Sequence, residues 1–141
     1  MEWEQTDISI SSLGRGFHLI TDDIINQIPQ ISKYKIGLLH LFLMHTFASL
    51  TINENADSTV REDLESHFNI LAPEHQSYYK HTFEGADDMP AHIKSSMIGN
   101  FLTIPVREGD LALGAWQGIY LCEHRNAIQN RKIVLTLCGQ K

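Results

Sequence analysis

The sequence has 141 residues, of which 43% are hydrophobic and 20% are charged, and its formal net charge at pH 7 is −6. This length and composition predict one soluble globular domain that covers residues 1–141. Phosphate binding requires a concentrated basic patch, and the Lys and Arg residues are dispersed along this chain. Nucleic acid is therefore not expected to be a partner.

Three further features predict a cytoplasmic protein that does not bind membranes. The first residues have no signal-peptide pattern, and the longest apolar run, residues 36–43, is too short to cross a bilayer. Cys122 and Cys138 are the only cysteines. They form no CxxC motif, so both are expected to be reduced thiols.

The first 47 residues predict two strands, a short helix and a longer strand. Residues 3–11 and 17–20 flank a turn at residues 14–16, which predicts a β-hairpin. Thr21 is predicted to cap a helix that Pro29 ends, with three isoleucines facing inward: Ile24, Ile25 and Ile28. Residues 36–47 are largely apolar on both faces, which predicts a central strand covered on both sides.

The middle of the chain predicts two helices separated by a loop. The first of these helices is predicted to begin near Asp57 and to end at about Leu71, with one apolar stripe: Val60, Leu64, Phe68 and Leu71. Residues 73–88 have turn residues and no clear period, so they predict a long loop that could act as a lid. The next helix should have Pro90 in its first turn and end at Gly99.

The last 40 residues predict strands and complete the fold class. Residues 101–106 and 111–124 flank a turn at residues 108–110, and residues 132–138 form the last strand. Strands outnumber helices, and no βαβ unit repeats. The sequence therefore predicts an α+β fold, with a largely antiparallel sheet or sandwich and helices at its ends or faces.

Polar residues on the helix at residues 90–99 indicate a candidate binding site. His92 and Ser95 lie on one stripe of this helix, together with Ser96 and Gly99. The N-terminus of the helix offers free N–H groups to a phosphate or carboxylate, and Lys94 could add a full positive charge. The alternative is a solvent-facing stripe that contains a histidine by chance.

The predicted strand at residues 111–124 carries two polar residues, Gln117 and Glu123, on an otherwise apolar face. A carboxylate at the end of such a strand can be a general base, a metal ligand or the partner of a histidine. The alternative for Glu123 is an ion pair with Arg125 or Arg131 at the rim of the sheet.

Two more histidines are candidates for the same site. His45 follows the central strand, on the face that also presents Leu39, Leu41 and Leu43. His81 lies in the predicted loop, eleven residues before His92. The sequence has neither HExxH nor another tight zinc-binding spacing, so spacing alone does not indicate a metal.

Three blocks of the sequence resemble the signature blocks of the YjbQ-like family, to which secondary thiamine-phosphate synthase activity is ascribed. They are HTFASLTINENAD at residues 45–57, DDMPAHIKSSMIGNFLTIP at residues 87–105, and LALGAWQGIYLCEHR at residues 111–125. The resemblance extends from about Gly37 to the end of the chain. Phe47 stands where members of this family usually have serine.

The resemblance implies a fold, an assembly and a site. The fold would be a compact, jelly-roll-like antiparallel β-sandwich with about three short helices, assembled as a homotrimer. The site would lie in a cleft shared between subunits, with His45, His81 and His92 as ligands of a divalent metal, zinc or magnesium, and with Glu123 close by. The activity would be weak thiamine-phosphate synthesis, in which a pyrimidine diphosphate and a thiazole phosphate are joined and pyrophosphate is released.

The first functional hypothesis is an enzyme that acts on a phosphorylated small molecule. His92 and Glu123 would be catalytic, and three residues would bind the substrate: Lys94, Ser95 and Gln117. The alternative hypothesis is a non-catalytic protein that binds a phosphometabolite in the same cleft. Glu123 discriminates between them, because a site for an anion has no use for a buried carboxylate whereas an acid–base or metal site does. A trimeric scaffold without a ligand is a third hypothesis.

Overall fold

In the computed structural model, two antiparallel sheets face each other across one main hydrophobic core. The structure describes residues 1–11 and 13–141. Within these residues the elements are β1 (Glu2–Ser11), β2 (Gly16–Leu19), α1 (Thr21–Gln27), a 3-10 helix (Pro29–Lys33), β3 (Ile36–Leu43), β4 (Ala48–Glu54), α2 (Ser58–Leu71), α3 (Asp88–Ile98), β5 (Phe101–Arg107), β6 (Asp110–Leu111), β7 (Gln117–Glu123) and β8 (Asn130–Gln140).

The larger sheet has the strand order β1-β8-β3-β5-β6, and the smaller sheet has the order β2-β7-β4. Leu39 and Leu41 of β3 and Leu121 of β7 belong to the main core between the sheets. Tyr120 and Cys122 point the other way on β7 and form a second cluster, against which residues of α2 pack. This arrangement confirms the predicted α+β sandwich with three short helices.

The predicted bounds of the two helices within residues 57–99 are confirmed, but Leu71, which was expected in the buried stripe of α2, is 49% exposed. The Asp57 carboxylate accepts a hydrogen bond from the Thr59 N–H and so caps α2. α3 ends at Ile98, and Gly99 follows it with φ 102°, a conformation that glycine adopts without steric cost. Residues 72–87 contain neither helix nor strand, as predicted. Among the described residues, no helix has the length and apolar character needed to cross a membrane.

The strand pairings differ from the sequence predictions in two places. β1 pairs with β8 and β2 pairs with β7, so these two strands lie in different sheets and the predicted hairpin is wrong. The predicted strand at residues 111–124 is broken at residues 112–116, where the chain passes from the larger sheet to the smaller one. Alternation of apolar residues sets which faces are buried, but the pairing partner is chosen by packing across the whole domain.

Three local predictions in the first half of the chain are also wrong. Thr21 does not cap α1; its hydroxyl accepts the Ile119 N–H instead, and Ile25 is 39% exposed. β3 is central in its sheet, but its outer face is not covered within this chain, since Leu38 and Phe42 are exposed.

Candidate functional site

The first turns of α3 and the preceding loop bring together two histidines and an aspartate. Asp88 and His92 are four residues apart on α3, so they share one face of the helix. Asp88 Oδ2 lies 2.7 Å from Nε2 of His81 and 3.5 Å from Nε2 of His92. The potential ligand atoms of these three residues all lie within 4.8 Å of one another. We refer to His81, Asp88 and His92 as the His–Asp cluster.

The hydrogen bonding of His92 shows which of its ring nitrogens faces Asp88 as an acceptor. Nδ1 lies 3.0 Å from the carbonyl oxygen of Thr46, and a carbonyl only accepts, so Nδ1 carries a hydrogen. In the neutral ring, Nε2 then has a lone pair that faces the carboxylate oxygen of Asp88. Two acceptor atoms that face each other repel, so the contact between His92 Nε2 and Asp88 Oδ2 is favourable only when a proton or a metal cation lies between them. A histidine fixed through its other nitrogen by a backbone carbonyl is typical of metal ligands.

The burial of Asp88 supports the same interpretation. Its side chain is 1% exposed, and neither carboxylate oxygen receives a well-directed hydrogen bond from the residues that the structure describes. A buried carboxylate in this state is costly unless a cation compensates it. Arg125 Nη1 is 3.1 Å from Oδ1, which leaves Oδ2 for the two histidines. Two imidazoles and one carboxylate form a donor set that fits zinc and related divalent ions.

Arg125, just after β7, holds the loop that carries His81. Its Nη2 donates to the carbonyl oxygen of Glu84 at 2.7 Å and lies 3.4 Å from Asp87 Oδ1. The Asn126 N–H donates to the other oxygen of Asp87 at 2.8 Å. Burial would raise the pKa of Asp87, but the hydrogen bonds from Asn126 and Arg125 outweigh it and lower this pKa. The end of β7 therefore fixes both the loop and the start of α3.

A cleft of about 240 Å³ adjoins the cluster. Most of its lining comes from the 72–87 loop, with Met89 of α3 on one side. His81 both lines this cleft and contacts Asp88, and its side chain is 42% exposed. A small ligand in the cleft can therefore reach the cluster through His81.

A second polar group lies beside the cluster, next to the aromatic ring of Phe47. Glu123 and Arg131 are fully buried, and the guanidinium engages both carboxylate oxygens, with Nη2 2.6 Å from Oε1 and Nε 2.8 Å from Oε2. The Phe47 ring centroid lies 4.7 Å from Cζ of Arg131 and 5.7 Å from Cζ of Arg125. The ring also lies 6.1 Å from the His92 ring, so Phe47 connects the two groups.

The structure brings His81 and His92 together, as predicted, but it does not bring His45 to them. Nε2 of His45 accepts the Lys132 N–H at 3.0 Å. Burial, and then the charge of Arg131, lower the pKa of His45, which favours the neutral ring. A neutral imidazole has one lone pair for an acceptor or a ligand. That lone pair is already used, so Asp88 is a better third ligand than His45.

The three residues predicted to bind substrate are engaged in the fold's own hydrogen bonds. Lys94 is 1% exposed, and its ammonium donates to the side-chain oxygen of Asn69 at 2.6 Å. Burial, and then the charge of Arg15, lower the pKa of Lys94. The Ser95 hydroxyl donates to a carbonyl oxygen of β4, and Gln117 accepts the Gly114 N–H.

Glu123 was predicted as a catalytic residue, but it pairs with Arg131, one of the two partners in the alternative, and this pair is fully buried rather than at the rim of the sheet. Both of its oxygens are occupied by Arg131, so it is not free to act as a base. Asp88 and the contact of Arg125 with it were missed by sequence reasoning. The four-residue spacing of Asp88 and His92 at a helix start was a signal for Asp88. Nothing in the sequence indicated that Arg125 lies beside it.

His124 is expected to make the protein sensitive to acid. Burial, and then the charge of Lys94, lower its pKa from 6.5 to about 3, and its Nε2 is hydrogen-bonded to the Ser49 hydroxyl at 2.8 Å. Below pH 6.5 the unfolded chain binds a proton that the folded chain refuses, so stability falls as the pH falls toward 3. From pH 6.5 to about pH 4.5 the loss should be about 2–3 kcal/mol.

Denaturant titrations of His124→Gln against pH would measure this contribution, since the variant removes the titrating ring and keeps a hydrogen-bonding group near Ser49. Its stability should depend less steeply on pH than that of the parent chain. His75→Gln is the matched control, because the His75 side chain is 80% exposed. Equal slopes for the parent chain and His124→Gln would contradict the assignment.

Comparisons with known proteins agree on one family. The family described as UPF0047 protein YjbQ-like matches residues 6–140. The UPF0047 protein YjbQ of Salmonella typhimurium is 54% identical over 138 residues, which cover 98% of this chain and 99% of the relative. The UPF0047 protein YjbQ of Escherichia coli O157:H7 is 51% identical over 138 residues, which again cover 98% of this chain and 99% of the relative.

Solved structures show the same fold. A YbjQ-like protein of unknown function from Sulfolobus solfataricus P2 has a TM-score of 0.85 at 26% identity, over 99% of both chains. A YjbQ/UPF0047 protein from Clostridium acetobutylicum has a TM-score of 0.83 at 33% identity, over 94% of this chain and 99% of that one. The family match and these similarities lead to one conclusion: the chain belongs to the YjbQ-like family, UPF0047.

Proposed function

We propose that this chain is a metal-dependent enzyme that acts on a phosphorylated small molecule in the cleft beside the His–Asp cluster. The observation that supports this most is the approach of two acceptors, His92 Nε2 and Asp88 Oδ2, to 3.5 Å around a fully buried carboxylate. When bound, a divalent ion such as zinc or magnesium would offset the charge of a phosphate or diphosphate group and activate water.

The chain's own residues would position this chemistry. His81, Asp88 and His92 would hold the ion, with the Thr46 carbonyl orienting His92. Arg125 would remain paired with Oδ1 of Asp88, and its hydrogen bond to the Glu84 carbonyl would hold the 72–87 loop in place beside the cleft. Glu123 would act indirectly, by holding Arg131 in place, so we assign it no proton transfer.

Within this class, thiamine-phosphate synthesis is the reaction that the family resemblance proposes. This reaction would use the same His–Asp cluster and cleft, because the negative charge of its diphosphate substrate must be neutralised as pyrophosphate leaves. The two free cysteines agree with the cytoplasmic location proposed for such an enzyme.

We also propose that the protein is a homotrimer, with the outer face of the larger sheet in its interface. Large apolar side chains are exposed on that face: Trp3, Ile36, Leu38, Phe42 and Phe101. They lie on three strands of one sheet, and Phe42 and Phe101 are directly opposite each other. An exposed apolar patch of this kind is typical of a protein interface. A monomer in sedimentation equilibrium would contradict the trimer.

One observation removes an objection to the alternative, a non-catalytic protein that binds a phosphometabolite. A buried carboxylate argued against an anion binder, but Arg131 neutralises Glu123 completely. The argument from Glu123 therefore no longer separates the two functions.

Turnover measurements separate them. The protein, freed of metal by chelation and then reloaded with zinc or magnesium, is offered a panel of small phosphate and diphosphate esters. The Asp88→Asn variant, which keeps the shape of the side chain, is assayed beside it. We expect the metal-loaded parent chain to release phosphate or pyrophosphate at least about a hundredfold faster than either the variant or the metal-free parent chain. Ligand binding without turnover would support the binder, and turnover that survives chelation would refute the metal-dependent enzyme.

A further inference from the structure

We propose that Arg125 is a positioning residue for Asp88. By occupying one carboxylate oxygen, it makes the His–Asp cluster offer three single-atom donors to a metal ion and prefer zinc to manganese or magnesium. This role rests on the proposed function, because it concerns the same metal ion. It adds a residue that decides which ion the cluster prefers.

Buried polar atoms without a hydrogen-bond partner are concentrated where Arg125 meets Asp88. Within residues 1–11 and 13–141 there are four such side-chain atoms, and three of them are Asp88 Oδ1, Asp88 Oδ2 and Arg125 Nε. Unpartnered buried groups are uncommon, and they often mark functional sites. Arg125 Nη1 lies 3.1 Å from Asp88 Oδ1, in a contact between charges that is not aligned as a hydrogen bond. The carboxylate therefore still has the capacity to bind a cation.

Arg125 is fixed in this position by contacts on its other sides. Its Nη2 donates to the Glu84 carbonyl oxygen at 2.7 Å and lies 3.4 Å from Asp87 Oδ1. The Phe47 ring centroid lies 5.7 Å from its Cζ, and the side chain is only 16% exposed. Because Nη2 is held by the loop, Nη1 remains next to Oδ1 of Asp88.

The other oxygen of Asp88 faces both histidines of the cluster. Oδ2 lies 2.7 Å from His81 Nε2 and 3.5 Å from His92 Nε2. A carboxylate that has one oxygen in an ion pair binds a metal through its other oxygen. The cluster then supplies two nitrogens and one oxygen. Three protein donors that leave one position for water or substrate are typical of catalytic zinc.

Magnesium and manganese favour a donor set that Arg125 withholds. Both ions prefer oxygen ligands, whereas imidazole nitrogens suit zinc. The two histidines already favour zinc, but a carboxylate with both oxygens free would give a harder ion one more oxygen and reduce the difference. Arg125 occupies that oxygen and so increases the preference for zinc.

Two substitutions separate the effect of Arg125 on Asp88 from its effect on the loop. Arg125→Met keeps an apolar stem but has no donor for Oδ1, and it also releases the loop. In Asp87→Ala the loop loses the acceptor of the Asn126 N–H and of Arg125 Nη2, while the contact between Arg125 and Asp88 remains. A change in charge or in loop order affects all divalent ions similarly. The ratio of two metal affinities therefore reports the donor set.

The experiment measures the zinc and manganese affinities of chelator-treated protein by competition with a chelator of known affinity. We expect the preference for zinc over manganese to fall about tenfold or more in Arg125→Met and to stay within about threefold of the parent value in Asp87→Ala. Cobalt provides a second measurement, because four-coordinate cobalt absorbs visible light much more strongly than six-coordinate cobalt. The parent chain and Asp87→Ala should give the strong spectrum, and Arg125→Met a weaker one.

An unchanged preference in Arg125→Met, or an equal fall in Asp87→Ala, would overturn the role of Arg125 and leave the metal-dependent enzyme standing. A six-coordinate cobalt spectrum of the parent chain would also overturn it. That spectrum needs no substitution, so it tests the donor set even if Arg125→Met does not fold. A parent chain that binds none of these ions would instead refute the metal-dependent enzyme, and the role of Arg125 with it.

Discussion

The Glu123→Gln variant is expected to have a free energy of unfolding about 3–5 kcal/mol below that of the parent chain. Glutamine keeps the shape of the side chain but removes its charge. In the parent chain, three contacts between Arg131 and Glu123 lie between 2.6 and 3.1 Å. In the variant, Arg131 remains fully buried but has no carboxylate to compensate its charge. The cost comes from this unpaired charge, because a buried cation cannot recover its hydration.

Chemical denaturation would measure the difference, with Glu2→Gln as the control. Glu2 also forms an ion pair, with Lys141 at 2.9 Å, but both side chains are substantially exposed, so we expect little change there. A loss smaller than about 1 kcal/mol in Glu123→Gln would contradict the importance of the buried pair. Adding Arg131→Met to Glu123→Gln should recover part of the stability, because both charges are then removed together.

The second large effect is expected in His92→Ala, which should bind a divalent metal about a hundredfold or more weakly than the parent chain. The substitution removes Nε2, the nitrogen that the Thr46 carbonyl orients toward Asp88. A buried carboxylate and the loop histidine alone cannot complete the donor set. His92 is partly exposed, and its loss leaves the core intact, so the variant should still fold.

Elemental analysis of purified protein, followed by competition titration with a chelator of known affinity, would measure the change. His67→Ala is the matched control, because His67 is exposed on α2 and contributes no atom to the cluster. Equal metal content in the parent chain and in His92→Ala would refute the metal site. Loss of metal in His92→Ala but not in His45→Gln would distinguish the His–Asp cluster from the ligand set that includes His45.

Local signals in the sequence were sufficient for the helices. The cap at Asp57, the proline at residue 90 and the glycine after Ile98 act within one or two turns, so each could be interpreted without knowing the fold. The apolar run at residues 36–43 likewise identified β3 as a core strand, although it did not show that only one of its faces is buried. These effects depend on neighbours in the chain and are decided before distant contacts form.

Strand partners could not be predicted in the same way. β1 and β2 are consecutive, yet each has its partner near the C-terminus, β8 and β7 respectively. The strand is interrupted at residues 112–116, but the sequence of these residues predicts a continuous strand, because the apolar alternation extends through them. The change of sheet depends on how two sheets close over one core, which is a property of the whole domain.

The candidate site shows the same division. The sequence by itself determined the family and the helices, and the family resemblance of its blocks supplied two of the three cluster residues, His81 and His92. Only the tertiary structure decided that Asp88 completes the cluster, that the Arg131 guanidinium pairs with the Glu123 carboxylate, and that Lys94 is buried with its ammonium hydrogen-bonded to Asn69. Side chains choose among possible partners by distance and burial, and both exist only once the sheets, α3 and the 72–87 loop have packed together.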